Sequence, residues 1–178
     1  YIVGFGIIMK VIILIIFLVP LLSFSQELVI GEERVEPGIV LIFEGAIKDV
    51  IEPKSNNLSV EETNVHIEAR VNWDSVNIPD GTPPGGFVPY LKISSIIYNE
   101  KTGLKTFIDL TPHINMIDNF HYARNISLPG SVNDFYNVQF KISPPSNTEL
   151  ALHNDWFKKY GKNLLNHYTV SYTHLRAH

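Results

Sequence analysis

From about residue 38 onward the chain is interrupted at short intervals by Pro, Gly and Asn. The stretches between these breaks alternate with a period of two. Val65 to Val71 is the cleanest case: Val65, Ile67, Ala69 and Val71 go to one face, and His66, Glu68 and Arg70 to the other. Gly38 to Ile47, Phe87 to Tyr98, Leu104 to Leu110, His121 to Leu128 and Phe135 to Ile142 are further β-rich runs, and Asn166 to Val170 adds a last one. Asn99 to Gly103 has the polar loop and glycine of a hairpin turn, Pro79 to Gly86 is a long loop, and Pro129-Gly130 and Pro144-Pro145 end two strands. Helix is expected only within Asn154 to Leu165, where Trp156, Phe157 and Tyr160 can share a face. Ile51 to Asn64, rich in Glu, Asn and Ser, reads as an exposed loop. The pattern is all-β, most simply an immunoglobulin-like antiparallel β-sandwich, with a closed barrel as the alternative.

The two ends read differently. Lys10, an apolar run to Leu22 and then Ser23 to Gln26 form the charged start, apolar centre and small-residue end of a secretory signal peptide, with Pro20 at its break. Residues 9–26 are expected to be a cleaved signal, with 1–8 upstream of the true start and an uncleaved anchor as the alternative. Ser171 to His178 resembles the translation of a sequencing adapter, so 170–178 is expected to be a non-native tail, and His174 and His178 are set aside. Residues 27–169 remain as one domain, since 178 residues do not support two comfortable cores.

Charge and cysteine content then exclude whole classes. Without cysteine there is no disulfide framework, thiolate zinc site, iron–sulfur cluster or thiol nucleophile. Export without cysteine points to a periplasm, where the Asn-x-Ser matches at Asn57 and Asn125 carry no glycan. A net charge of −4 with scattered Lys and Arg argues against nucleic acid as a partner. No Gly-x-Ser-x-Gly marks a serine nucleophile, and Gly81 to Gly86 lacks the Lys-Ser/Thr of a phosphate loop. Glu61 and Glu62 diverge in an extended chain and make a poor glycosidase pair.

What remains is imidazole and carboxylate. His66 and Glu68 project side by side from one strand face, half of a metal site or merely a solvated surface. His113, His121 and His153 lie at strand ends or loops, where residues from separate strands converge at one end of a sandwich. With Met116 offering a thioether, such donors suit copper, iron, manganese or zinc and not calcium. Trp73, Phe87, Tyr90 and Tyr98 offer a second use, as a sugar-binding platform or as core filling.

Three stretches together resemble the periplasmic iron-transport proteins that accompany an FTR-type iron permease in bacterial high-affinity iron uptake. They are Asn64 to Ala69, Gly86 to Ile93, and Asp118 to Tyr122 followed by Asn125 to Pro129 and Tyr136 to Pro145. The resemblance runs from about Gly38 to His153. It implies an immunoglobulin-like homodimer, with a copper site near the interface and an inner-membrane iron permease as partner. By motif, His66 and Glu68, His121 and His153 fall at copper-site positions, and Asp118 at an acid of a second site accepting iron or manganese. One departure stands out: Pro112-His113 replaces the family's Pro-Met, with Met116 nearby but out of register. Either His113 substitutes for the thioether or Met116 swings in. His167 matches nothing in the motif and reads as an exposed strand residue.

The expected role is a metal-binding protein without turnover of its own. The competing readings are a copper-dependent iron oxidoreductase acting before transport, and a carbohydrate-binding or adhesion module.

Overall fold

The computed structural model describes residues 28–177, so the expected signal peptide at 9–26 lies outside the described residues. Eight strands and one helix follow in the order β1 (Leu28–Val35), β2 (Ile39–Ala46), β3 (Val65–Trp73), β4 (Lys92–Asn99), β5 (Lys105–Asn115), β6 (Asn119–Ile126), β7 (Tyr136–Ser143), α1 (Asn154–Tyr160) and β8 (Tyr168–Leu175). No described helix is long and apolar enough to cross a membrane.

All strand pairings are antiparallel, in the spatial order β1-β2-β3-β6-β5-β4-β7-β8. The fold is all-β, as the alternation predicts. β2-β3-β6 on one side and β4-β7-β8 on the other reproduce the strand alternation of an immunoglobulin-like sandwich. The two halves are continuous because β5 serves both: Lys105–Leu110 pairs with β4, and Thr111–Asn115 pairs with β6. β1 also approaches β8, where Glu33 accepts hydrogen bonds from the Tyr168 and Tyr172 hydroxyls at 2.6 and 3.0 Å, so the sheet is nearly closed.

The core is what period-two burial dictates. Leu41 and Phe43 of β2, Ile67, Ala69 and Val71 of β3, and Val138, Phe140 and Ile142 of β7 all point inward. Phe43 stacks on Phe140 across the two halves with ring centroids 4.1 Å apart. At the start of β7 the buried Tyr136 donates its hydroxyl proton to the Ser131 carbonyl at 2.7 Å, the corner contact typical of immunoglobulin-like sandwiches. The Asn99 turn forms as its residues predict, with Asn99 Oδ1 accepting from Lys101 N and Thr102 N and Gly103 at φ 77°.

Several boundaries differ from expectation. β1 escapes the sequence pattern because Gly31, Glu32, Glu33 and Arg34 interrupt its apolar alternation. Phe87 to Leu91 is not strand: only Phe87 bridges to Asn72, and Tyr90 takes φ 66°. β5 runs past Leu110 to Asn115, Pro112 being tolerated because this half of the strand pairs on one side only. The helix stops at Tyr160, ahead of Gly161, and does not reach Leu165. The boundary expected at residue 169 falls inside β8, so residues of the expected tail pair with β7.

Candidate metal centre

The register of three neighbouring strands assembles the site. His66 lies opposite Asn125, Glu68 opposite Ala123, and His121 opposite His113. Since His66 and Glu68 are two residues apart, as are Asn125, Ala123 and His121, all of these side chains share the face turned away from the apolar core. That face is not solvated: His66, Glu68 and His121 are 4%, 3% and 2% exposed. The segment from Ala46 to Glu52 and the tip of the β5–β6 hairpin wall a cavity of about 720 Å³ over them.

Among the described residues, His66, His113 and His121 each offer a ring nitrogen, all within 4.8 Å of one another. The Glu68 carboxylate joins them, Oε1 lying 3.4 Å from His66 Nε2 and 3.8 Å from His121 Nε2.

Hydrogen bonds behind the rings decide which nitrogens face inward. Asn125 uses its amide protons on the Asp49 and Leu58 carbonyls, at 3.0 and 3.1 Å, which leaves Oδ1 as the acceptor 2.7 Å from His66 Nδ1. His66 therefore donates from Nδ1 and turns the Nε2 lone pair toward Glu68. His121 Nδ1 similarly donates to the Asn119 carbonyl at 3.1 Å, leaving its Nε2 lone pair on the same side. Asn119 aims that carbonyl from φ 63°, a left-handed conformation that Asn accepts more readily than most residues. His113 contacts Thr111 Oγ1 through Nε2 at 3.3 Å, while its Nδ1 is buried with no hydrogen-bond partner.

Lone pairs facing a carboxylate repel unless a cation lies among them. Tetrahedral ligands about 2.1 Å from a common ion lie about 3.4 Å from one another, close to the Glu68–imidazole separations. An unsatisfied His113 nitrogen and a sulfur-free set of three imidazoles and one carboxylate fit a first-row transition ion and not calcium. Electrostatics keeps the rings ready. Burial, with repulsion from His121, holds the His66 imidazolium below its ordinary pKa despite the opposing Asn125 hydrogen bond. Burial first, then the neighbouring His66, His121 and Arg124, lowers His113 to about 4. Both are neutral near pH 7, as ligation requires.

The remaining sequence candidates sit elsewhere. Asp118 lines the same cavity, its Oδ2 accepting from Asn115 Nδ2 at 2.8 Å, but it stands outside the four-donor group. Met116 is fully exposed on the hairpin turn. His153 is exposed at the start of α1 and takes no part in the cavity wall. His167 is exposed just ahead of β8, against Ser143 Oγ. Sequence reasoning missed Asn125 and Asn119, whose supporting roles appear only once strand register is known. It also missed Glu44, buried directly opposite Glu68 and paired with Arg70 at 2.7 Å.

Of the four aromatics Tyr90 is exposed, whereas Trp73 and Phe87 pack against other rings. Trp73 is buried edge-on to Trp156, and Phe87 packs between Phe120 and Tyr122.

Residues 24–176 match the family described as Fe2+ transport protein. The 34 kDa membrane antigen of Treponema pallidum is 31% identical over 97 residues, 54% of this chain; the chain spans about half, 47%, of that relative's length. The crystal structure of as-isolated FetP from uropathogenic E. coli, expressed recombinantly in the periplasm, superposes with a TM-score of 0.67 at 26% identity, covering 84% of this chain and 95% of FetP. A copper-bound variant of Campylobacter jejuni P19 superposes with a TM-score of 0.70 at 25% identity, covering 84% and 96%.

Proposed function

Because the chain belongs to the Fe2+ transport protein family, we propose that it is a periplasmic metal-binding protein that holds iron and copper and supplies iron to an inner-membrane permease. One observation carries the reading: three imidazoles and a carboxylate converge beneath a cavity, two of the rings held by Asn125 and Asn119 with their lone pairs inward. Copper in the related P19 structure favours the same class of ion here. The signal-like residues 9–26 and the periplasmic expression of the related FetP favour export. His66, Glu68, His113 and His121 act as ligands, while Asp118 at the cavity wall offers an oxygen donor to an ion entering or leaving. The exposed apolar residues Ile114 and Ile117 at the cavity wall, with Met116 exposed on the turn between them, favour a homodimer that buries them.

The test is a titration of the protein, purified without a histidine tag, with Cu(II), Fe(II), Mn(II) and Zn(II), beside a His66→Ala, His121→Ala double variant. Tight binding near one ion per chain, lost in the variant, is the expected result. Weak binding, or binding that the variant keeps, would remove the metal reading.

A further inference from the structure

We infer that His113 makes this a sulfur-free centre that selects divalent ions over Cu(I), an inference that rests on the metal-binding reading above and adds its ligand class. The ladder from Thr111↔Ala123 to Asn115↔Asn119 places His113 directly across from His121. Its ring lies 5.5 Å from that of His66 and 5.9 Å from that of His121, centroid to centroid. A His113 ring nitrogen is the third of the cluster; its Nδ1 is buried with no hydrogen-bond partner, while Nε2 lies 3.3 Å from the Thr111 hydroxyl.

Among the described residues Met116 is the one sulfur, since the chain has no cysteine and its other methionine is Met9. The turn holds Met116 outside the ladder and fully exposed. Asn115 Oδ1 accepts from Ile117 N at 2.8 Å and from Asp118 N, while Asn115 Nδ2 donates to Asp118 at 2.8 Å. Bringing the thioether to the histidines requires breaking that turn, whereas His113 needs no backbone movement to serve.

Thioether stabilises Cu(I), while imidazole and carboxylate favour Cu(II), Zn(II), Fe(II) and Mn(II). The centre therefore suits an ion that stays divalent during capture and transfer, and His113 is its specificity-determining residue.

The experiment measures Zn(II) and Cu(II) affinities aerobically and Cu(I) affinity under reductant against a competing chelator. It compares the wild-type protein with His113→Met and Met116→Leu, and thermal unfolding of each apo form confirms that the variants fold. The wild-type protein is expected to favour the divalent ions. His113→Met should weaken them at least about tenfold, the low end of what losing a group that supports a metal ligand costs, and strengthen Cu(I). Met116→Leu should leave both affinities where they were. A wild-type preference for Cu(I), a Cu(I) affinity that falls in Met116→Leu, or selectivity unmoved by His113→Met would overturn the inference while leaving a metal site standing. A wild-type protein that binds neither class of ion would overturn both.

Discussion

Asn125 shows how much of this centre depends on a side chain that touches no metal. Its three hydrogen bonds tie the His66 ring to the backbone of the 49–58 segment and select which imidazole nitrogen faces Glu68. Asn125→Leu fills the same space without the acceptor, so metal affinity should fall about 10- to 100-fold; calorimetric titration reads this directly, and unchanged affinity would mean that the ring needs no support. Protonation acts at the same scale. An imidazole near 6.5 in the unfolded chain and lower in the folded one leaves the unfolded state binding more protons between the two values. Stability of the apo protein should therefore be fully present above pH 6.5 and decline as pH falls toward about 4, the value to which burial lowers His113. For His66 and His113, proton competition with bound metal begins lower than for a solvated histidine. Unfolding midpoints of the apo protein that stay level from pH 7 to pH 4 would contradict the neutral buried state of these rings.

At the scale of elements, the decisive strand is β5, which leaves one half of the sandwich at Leu110 and joins the other at Thr111. The alternation of residues 65–71 made the His66–Glu68 pair legible, as the turn residues made the Asn99 hairpin legible. The continuation of β5 through Pro112 was not, because a proline ordinarily ends a strand and nothing local tells that this half is an edge. Without that continuation, His113 and Met116 were equal candidates; register separates them by placing one opposite His121 and the other on the turn. His153 stands exposed at the start of α1, outside the cavity wall. Asn119 completes the hairpin from a left-handed backbone. Asn119→Gly should preserve both stability and metal affinity, whereas Asn119→Val should cost about 1–2 kcal/mol and displace the carbonyl that holds His121. Denaturant melts paired with titrations distinguish the two, and equal behaviour of the variants would mean that this turn does not position the ring.

Over the whole molecule the sandwich is a rigid support whose apolar interior and polar centre occupy opposite faces of the same strands. That separation is testable. Phe140→Ala removes the stacking partner of Phe43 and should destabilise the fold by about 3–5 kcal/mol while leaving the order of metal preference intact. The mouth of the centre carries exposed Ile114 and Ile117, so Ile114→Glu with Ile117→Glu should turn a dimer into monomers in sedimentation velocity; a wild-type protein that sediments only as a monomer would contradict the proposed assembly. Metal bound by the folded state alone should raise the unfolding temperature, and the rise should continue with the logarithm of free metal after the site is full.

The most direct test of the account is the X-ray absorption spectrum of the protein loaded with one equivalent of Zn(II), beside a His66→Ala variant. The account predicts nitrogen and oxygen neighbours alone, near 2.0–2.2 Å, with outer-shell scattering from three imidazoles that falls to two in the variant. A sulfur neighbour near 2.3 Å, or imidazole scattering that the variant does not change, would contradict a centre built from His66, Glu68, His113 and His121.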